Sequence, residues 1–198
     1  EFIGSNREED GVVWSGTGAF LTLTDCNFDF EEMKFSSLVS GNSILSATNV
    51  AASGYNNGRL KVLAFVNCQF RGTYDVMDVN GYDLVDINNT LFFYVKATNF
   101  GLRFRDTSKL EMSSCELIRW FDESTIPTPS SYATASMIEL QNNNLASFGA
   151  VNINGCIIHP QQTQNGIDIG TGSTTGFGTI SSNAFINIGL TTGKVFLP

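Results

Sequence analysis

Along the chain, short stretches alternate apolar and polar side chains and then break at a pair of polar residues. LTLTDCNF, LAFVNCQF, VDINNTLF, LEMSSCEL, VNINGCII and GTISSNAF share one frame. It begins at Leu21, Leu63, Val85, Leu110, Val151 and Gly178, giving spacings of 42, 22, 25, 41 and 27 residues. Two positions on stand Leu23, Phe65, Ile87, Met112, Ile153 and Ile180, and seven positions on stand Phe28, Phe70, Phe92, Leu117, Ile158 and Phe185. All of these are apolar. Alternation with period 2 marks a strand with one buried face. The polar pair and the Cys26, Cys68, Thr90, Cys115, Cys156 or Asn183 that follows it read as a corner with a small inward side chain.

A second strand type precedes the frame in the later repeats: VMDV around Val79, GLRF around Phe104, MIEL around Leu140 and GIDI around Ile169. Two strand types in fixed order, at a period in the twenties with excursions toward forty, predict stacked coils carrying loop insertions. A jelly roll or sandwich would not need both strand types in that order. The expected fold is all-β, a parallel β-helix of about six turns over residues 20–198, with 1–19 as a capping or linking segment. The insertions are SGNSILSATNVAASGYNNGR and DESTIPTPSSYATA, the second holding Pro127 and Pro129, which no central strand would accept.

Composition narrows the function classes. Only 15% of the 198 residues are charged, against about 25% in a typical soluble domain. The 19 Asn, 19 Ser, 18 Thr and 19 Gly supply the polar surface instead. A net charge of −8, with 11 Lys plus Arg and no basic run, excludes a nucleic-acid reader. Apolar runs fall far short of the ~20 residues of a bilayer span, so no membrane insertion is expected. The acidic start, EFIGSNREED, does not read as a signal peptide. Aromatics at 12% are enough for a core and argue against disorder. With one His, His159, and no CxxC pair, no metal site is expected. No cofactor is expected either, since SGTG at 15–18 and GTGSTTGFG at 170–178 lack the Lys of a phosphate loop.

Candidate chemistry lies on the outward positions. Aligned by repeat, the earlier strand presents Asp78, Arg103, Glu139 and Asp168. Stacked strands would hold Glu139 and Asp168 at a spacing suited to glycosidase chemistry, with Arg103 as counter-charge, and these three are the catalytic candidates. Asp86 above Glu111 forms a second acid pair. Outward charges on a sheet are usually solvated or paired across a subunit interface, so the reading leans away from an enzyme. The aromatic neighbours Phe93 and Tyr94, and Trp120 and Phe121, cannot all face inward under strict alternation. They fit sugar-stacking platforms or subunit contacts, which makes Trp120, Phe121, Tyr94, Asp86 and Glu111 the binding candidates.

The segment NGCIIHPQQTQNGIDIGTGSTTGFGTISSNAFINIG, in which GIDI, a corner and ISSN with an apolar residue follow in order, resembles the pectate-lyase-like β-helices of bacteriophage tail fibres, tailspikes and virion structural proteins. The resemblance is strongest over residues 137–189. It implies a single-stranded, right-handed parallel β-helix. It also implies a homotrimeric structural and receptor-binding component of a phage tail or virion, acting outside the cell on host surface polysaccharide and joined to other virion or tail proteins. The same solenoid carries polysaccharide hydrolases and lyases, so a tailspike-type glycosidase or lyase is the alternative, and a capsid or baseplate decoration protein a third.

Overall fold

The computed structural model describes residues 2–3, 11–37, 43–49, 61–71, 75–95, 100–119, 136–141, 148–159, 165–169, 175–185 and 196–197. In chain order the strands are β1 (Phe2–Ile3), β2 (Gly11–Trp14), β3 (Leu21–Thr24), β4 (Phe28–Glu31), β5 (Lys34–Ser37), β6 (Leu45–Thr48) and β7 (Val62–Val66). There follow β8 (Gln69–Arg71), β9 (Met77–Asn80), β10 (Leu84–Asn88), β11 (Leu91–Val95), β12 (Phe100–Arg105), β13 (Lys109–Ser113) and β14 (Glu116–Arg119). The last are β15 (Ser136–Gln141), β16 (Phe148–Asn154), β17 (Ile157–His159), β18 (Asn165–Ile169), β19 (Thr175–Ser181), β20 (Ala184–Phe185) and β21 (Phe196–Leu197).

They form three seven-stranded sheets, each taking every third strand. The first runs β1-β4-β7-β10-β13-β16-β19, the second β2-β5-β8-β11-β14-β17-β20, and the third β3-β6-β9-β12-β15-β18-β21. Every pairing is parallel. Strands β3 to β20 make six successive three-strand repeats. Within 1–19, β1 and β2 pair with β4 and β5.

The repeat frame is a spatial ladder from its second member on. Leu63, Val85, Leu110, Val151 and Gly178 are successive partners in the first sheet. The first member is the exception: Leu21 pairs with Leu45 in the third sheet, and Phe28 is the residue that lies beside Leu63. Met33, not Cys26, therefore precedes Cys68 in the corner ladder, and the Gln69 N–H donates to the Met33 carbonyl. The slip arises because two corners share one local shape. Asp25 before Cys26 and Glu32 before Met33 both take positive φ, at 51° and 54°.

That left-handed residue recurs at the corner between the first and second sheets, at Asn67, Asn89, Ser114, Gly155 and Ser182. At the first four its N–H donates to the next repeat, from Asn67 to Asn88, Asn89 to Ser113, Ser114 to Asn154 and Gly155 to Ser181. The ladder is thus carried around the bend, and the corner backbone stays hydrogen-bonded. The next side chain turns inward and donates to carbonyls. Cys68 Sγ reaches Phe30 O at 3.5 Å, Thr90 Oγ1 reaches Asn88 O at 3.0 Å, Cys115 Sγ reaches Ser113 O at 3.2 Å and Asn183 Nδ2 reaches Ile153 O at 2.8 Å. Cys, Thr and Asn interchange because each is small and carries a donor. The four cysteines are free. At Cys115, its contact with Cys156 and then burial hold the thiol well above its usual range.

Aromatic stacks fill the early core. Phe30 lies over Phe65 with centroids 4.8 Å apart, and Phe70 is sandwiched between Phe35 at 5.0 Å and Phe92 at 5.1 Å. Edge contacts at 5.7 Å, Phe30 with Phe35 and Phe65 with Phe70, join the two stacks across the interior. Further along the same rows Ile87 and Met112, and Leu117 and Ile158, take over. The core is continuous because in-register stacking puts each inward side chain on its equivalent in the next repeat.

Candidate functional site

The outward side of the third sheet brings Asp78, Arg103, Arg105, Glu139 and Asp168 together. Arg103 is flanked by Asp78 on one side and Glu139 on the other, and Glu139 by Asp168, the order expected from the sequence. Arg103 Nε donates to Glu139 Oε2 at 2.8 Å, while its Nη1 lies 4.0 Å from Asp78 Oδ2. Arg105, two residues on and on the same face, grips Asp78 with both arms: Nε to Oδ1 at 2.9 Å and Nη2 to Oδ2 at 2.8 Å. Such a bidentate pair is planar and geometrically fixed. Gln141, the register partner of Arg105, donates through Nε2 to Glu139 Oε1. Glu139 thus has both oxygens engaged.

Two further residues complete the surface, and alternation alone does not find them. Ser136 Oγ donates to Asp168 Oδ2 at 3.3 Å although Ser136 is 1% exposed. Phe100, its register partner, is buried outside the core cluster, and the Arg103 guanidinium carbon sits 3.8 Å above its ring. Both lie three residues before the charged row, an odd offset that strict alternation would send inward. The strand start is tight here as well: a Cβ on Gly101 would come within 2.6 Å of the Met137 carbonyl. Arg105, Gln141 and Asn80 sit two residues beyond Arg103, Glu139 and Asp78, so period 2 carried one step further along the strand identifies them.

The second acid pair lies on the first sheet, where Asp86 and Glu111 are register partners. The base that the sequence reading did not pair with them is Lys109, whose Nζ is 2.7 Å from Glu111 Oε1. It stands two residues before Glu111 and so shares its face. Desolvation and then Glu111 raise the Asp86 carboxyl above its usual value, while Lys109 opposes the shift. Asp86 and Glu111 are therefore on a different sheet from Arg103, Glu139 and Asp168. Beside them Asn152 accepts from Thr179 at 3.1 Å and Asn154 from Ser181 at 2.6 Å, extending a neutral polar ladder.

The aromatic candidates are less informative. Trp120 and Phe121 lie outside the described residues, as does the side chain of Tyr94, whose backbone belongs to β11. The outward side of the second sheet instead carries Phe93, Ile118 and His159 as successive partners, with Leu91, Glu116 and Ile157 in the neighbouring row. His159 is the last residue of β17. Among the described residues no group of three His, Cys, Asp or Glu side chains could hold a metal ion, and no helix is long and apolar enough to cross a membrane.

No protein-family model, curated protein or solved structure matches the chain.

Proposed function

We propose that the three sheets are the faces of a right-handed parallel β-helix, and that the chain is a structural and glycan-binding module of a bacteriophage tail or virion appendage. Support for the helix comes from the every-third-strand order and the hydrogen bonds that continue around the corners. Right-handedness follows the rule for crossovers between parallel strands of one sheet. The phage assignment rests on the resemblance of residues 137–189 and implies a place on the outside of a virion, against host polysaccharide.

The observation that carries the glycan reading is the outward row Asp78, Arg103, Glu139 and Asp168 with Arg105, Gln141 and the Phe100–Arg103 stack. Sugar rings are bound by planar amide, carboxylate and guanidinium groups held at fixed angles and by flat surfaces. An ion-paired ladder on a rigid sheet supplies both. Binding is favoured over hydrolysis because Arg103 and Gln141 occupy both oxygens of Glu139, leaving it poorly placed as an acid or base. A homotrimer is supported by exposed apolar side chains among the polar ones on the outward side of the second sheet, where Val13 is 62% and Ile157 38% exposed.

A polysaccharide array probed with purified protein tests the reading. Retention that drops about tenfold on Gln141→Ala, with no new reducing ends released, is expected. Release of reducing ends that stops with Glu139→Gln would replace the binding reading by the enzymatic one. Sedimentation equilibrium at three times the chain mass is expected, and a monomer would remove the trimer.

A further inference from the structure

We infer that the face of the third sheet selects uncharged, hydroxyl-rich glycans and rejects polyanionic ones such as uronic-acid polymers. The inference rests on the glycan-binding reading above and specifies its ligand class. An acidic sugar is held most strongly by a cation whose charge is not already neutralised by a protein carboxylate. Both guanidinium groups on this face are already committed to protein carboxylates. Arg105 is bidentate on Asp78, and Arg103 is bonded to Glu139, near Asp78 and stacked on Phe100. Breaking either pair to bind an anion would leave a partly buried carboxylate without its partner, since the Glu139 side chain is only 15% and the Asp78 side chain 21% exposed.

Asp168 has the opposite character. It accepts from the neutral Ser136 hydroxyl, and among the described residues no cation forms an ion pair with it. A carboxylate held this way on an outward row is a strong acceptor for sugar hydroxyls, each such charge-assisted bond being stronger than a neutral one. To an anionic chain the same group is a repulsive charge, and Glu139 next to it adds no attraction. Among the described residues, three carboxylates against two guanidiniums leave this face at −1, within a chain of net charge −8. No remote surplus of positive charge reverses the local sign.

The test is titration of N-acetylglucosamine hexamer and of hyaluronan hexasaccharide, in which alternate sugars are glucuronic acid, with a dextran hexamer as second neutral probe. The wild-type protein should bind at least one neutral oligomer at least about tenfold more tightly than hyaluronan at low salt. Raising the salt should narrow the gap by improving hyaluronan binding alone. Asp168→Asn keeps the shape and can still accept from Ser136. It should weaken the neutral complex about tenfold or more and reduce the discrimination. Hyaluronan binding as tightly as the neutral oligomers overturns the selectivity and leaves the glycan reading standing. Neutral binding unchanged by Asp168→Asn overturns the role given to this carboxylate. Failure of all three oligomers to bind removes the glycan reading itself, and the selectivity with it.

Discussion

Thr90 offers a sharp test of the corner. It is fully buried, donates through Oγ1 to Asn88 O at 3.0 Å with Phe65 O at 3.4 Å, and accepts from the Cys68 N–H at 3.4 Å. Thr90→Val preserves volume and branching while removing the hydroxyl, so any loss is polar and not a cavity. Asn88 O keeps its bond from the Asn67 N–H, so the loss falls mainly on the buried Cys68 N–H and costs about 1–3 kcal/mol, or roughly 2–12 °C in Tm at this chain length. Thr90→Cys keeps a small donor of the kind found at Cys68 and Cys115 in the adjacent repeats, losing only a methyl group, and should stay within about 1 kcal/mol of wild type. Chemical denaturation with circular dichroism, compared by midpoint at unchanged slope, measures both variants. If valine is within about 0.5 kcal/mol of wild type and cysteine is the worse of the two, the donor explanation is wrong.

Other expectations concern single positions. Ser114 sits at φ 53° where the next repeat has Gly155 at φ 62°, so Ser114→Gly should stabilise by about 0.5–1 kcal/mol by relieving left-handed strain, read as a higher Tm. Gly101→Ala should destabilise by about 1–3 kcal/mol in the same assay, because its Cβ meets the Met137 backbone. Asp86 has a folded-state pKa above its usual 3.8, so the native state holds more protons than the unfolded state between the two values. Its contribution to stability therefore falls as pH rises through that window and stays lowered at neutral pH. Asp86→Asn should raise Tm at pH 7, with the gain vanishing below about pH 4; a gain independent of pH would rule out titration of this group as its source.

Sheet register was legible where spatial neighbours are also repeat equivalents. Val85 and Leu110, or Arg103 and Glu139, occupy the same frame position, and parallel in-register stacking makes equivalence adjacency. The first repeat misled because LTLTDCNF and FDFEEMKF both carry alternation and a left-handed corner. Cys26 matches the repeated Cys position by type, yet Met33 fills that corner in space. Phe100 and Ser136 were hidden by the local break in alternation at Gly101 and Met137. The ion pairs were only half legible. Arg105 reaches diagonally to Asp78, and Arg103 prefers Glu139, choices set by side-chain length and rotamer and not by spacing.

The central claim is that the outer face of the third sheet binds glycan. Carbodiimide labelling of carboxylates, with and without N-acetylglucosamine hexamer or dextran hexamer, followed by peptide mass spectrometry, addresses it directly. Bound oligomer should protect Asp168 and Glu139 while Glu111 and Asp29 on the first sheet label as before. Protection of the first-sheet carboxylates with Asp168 still reactive would contradict it.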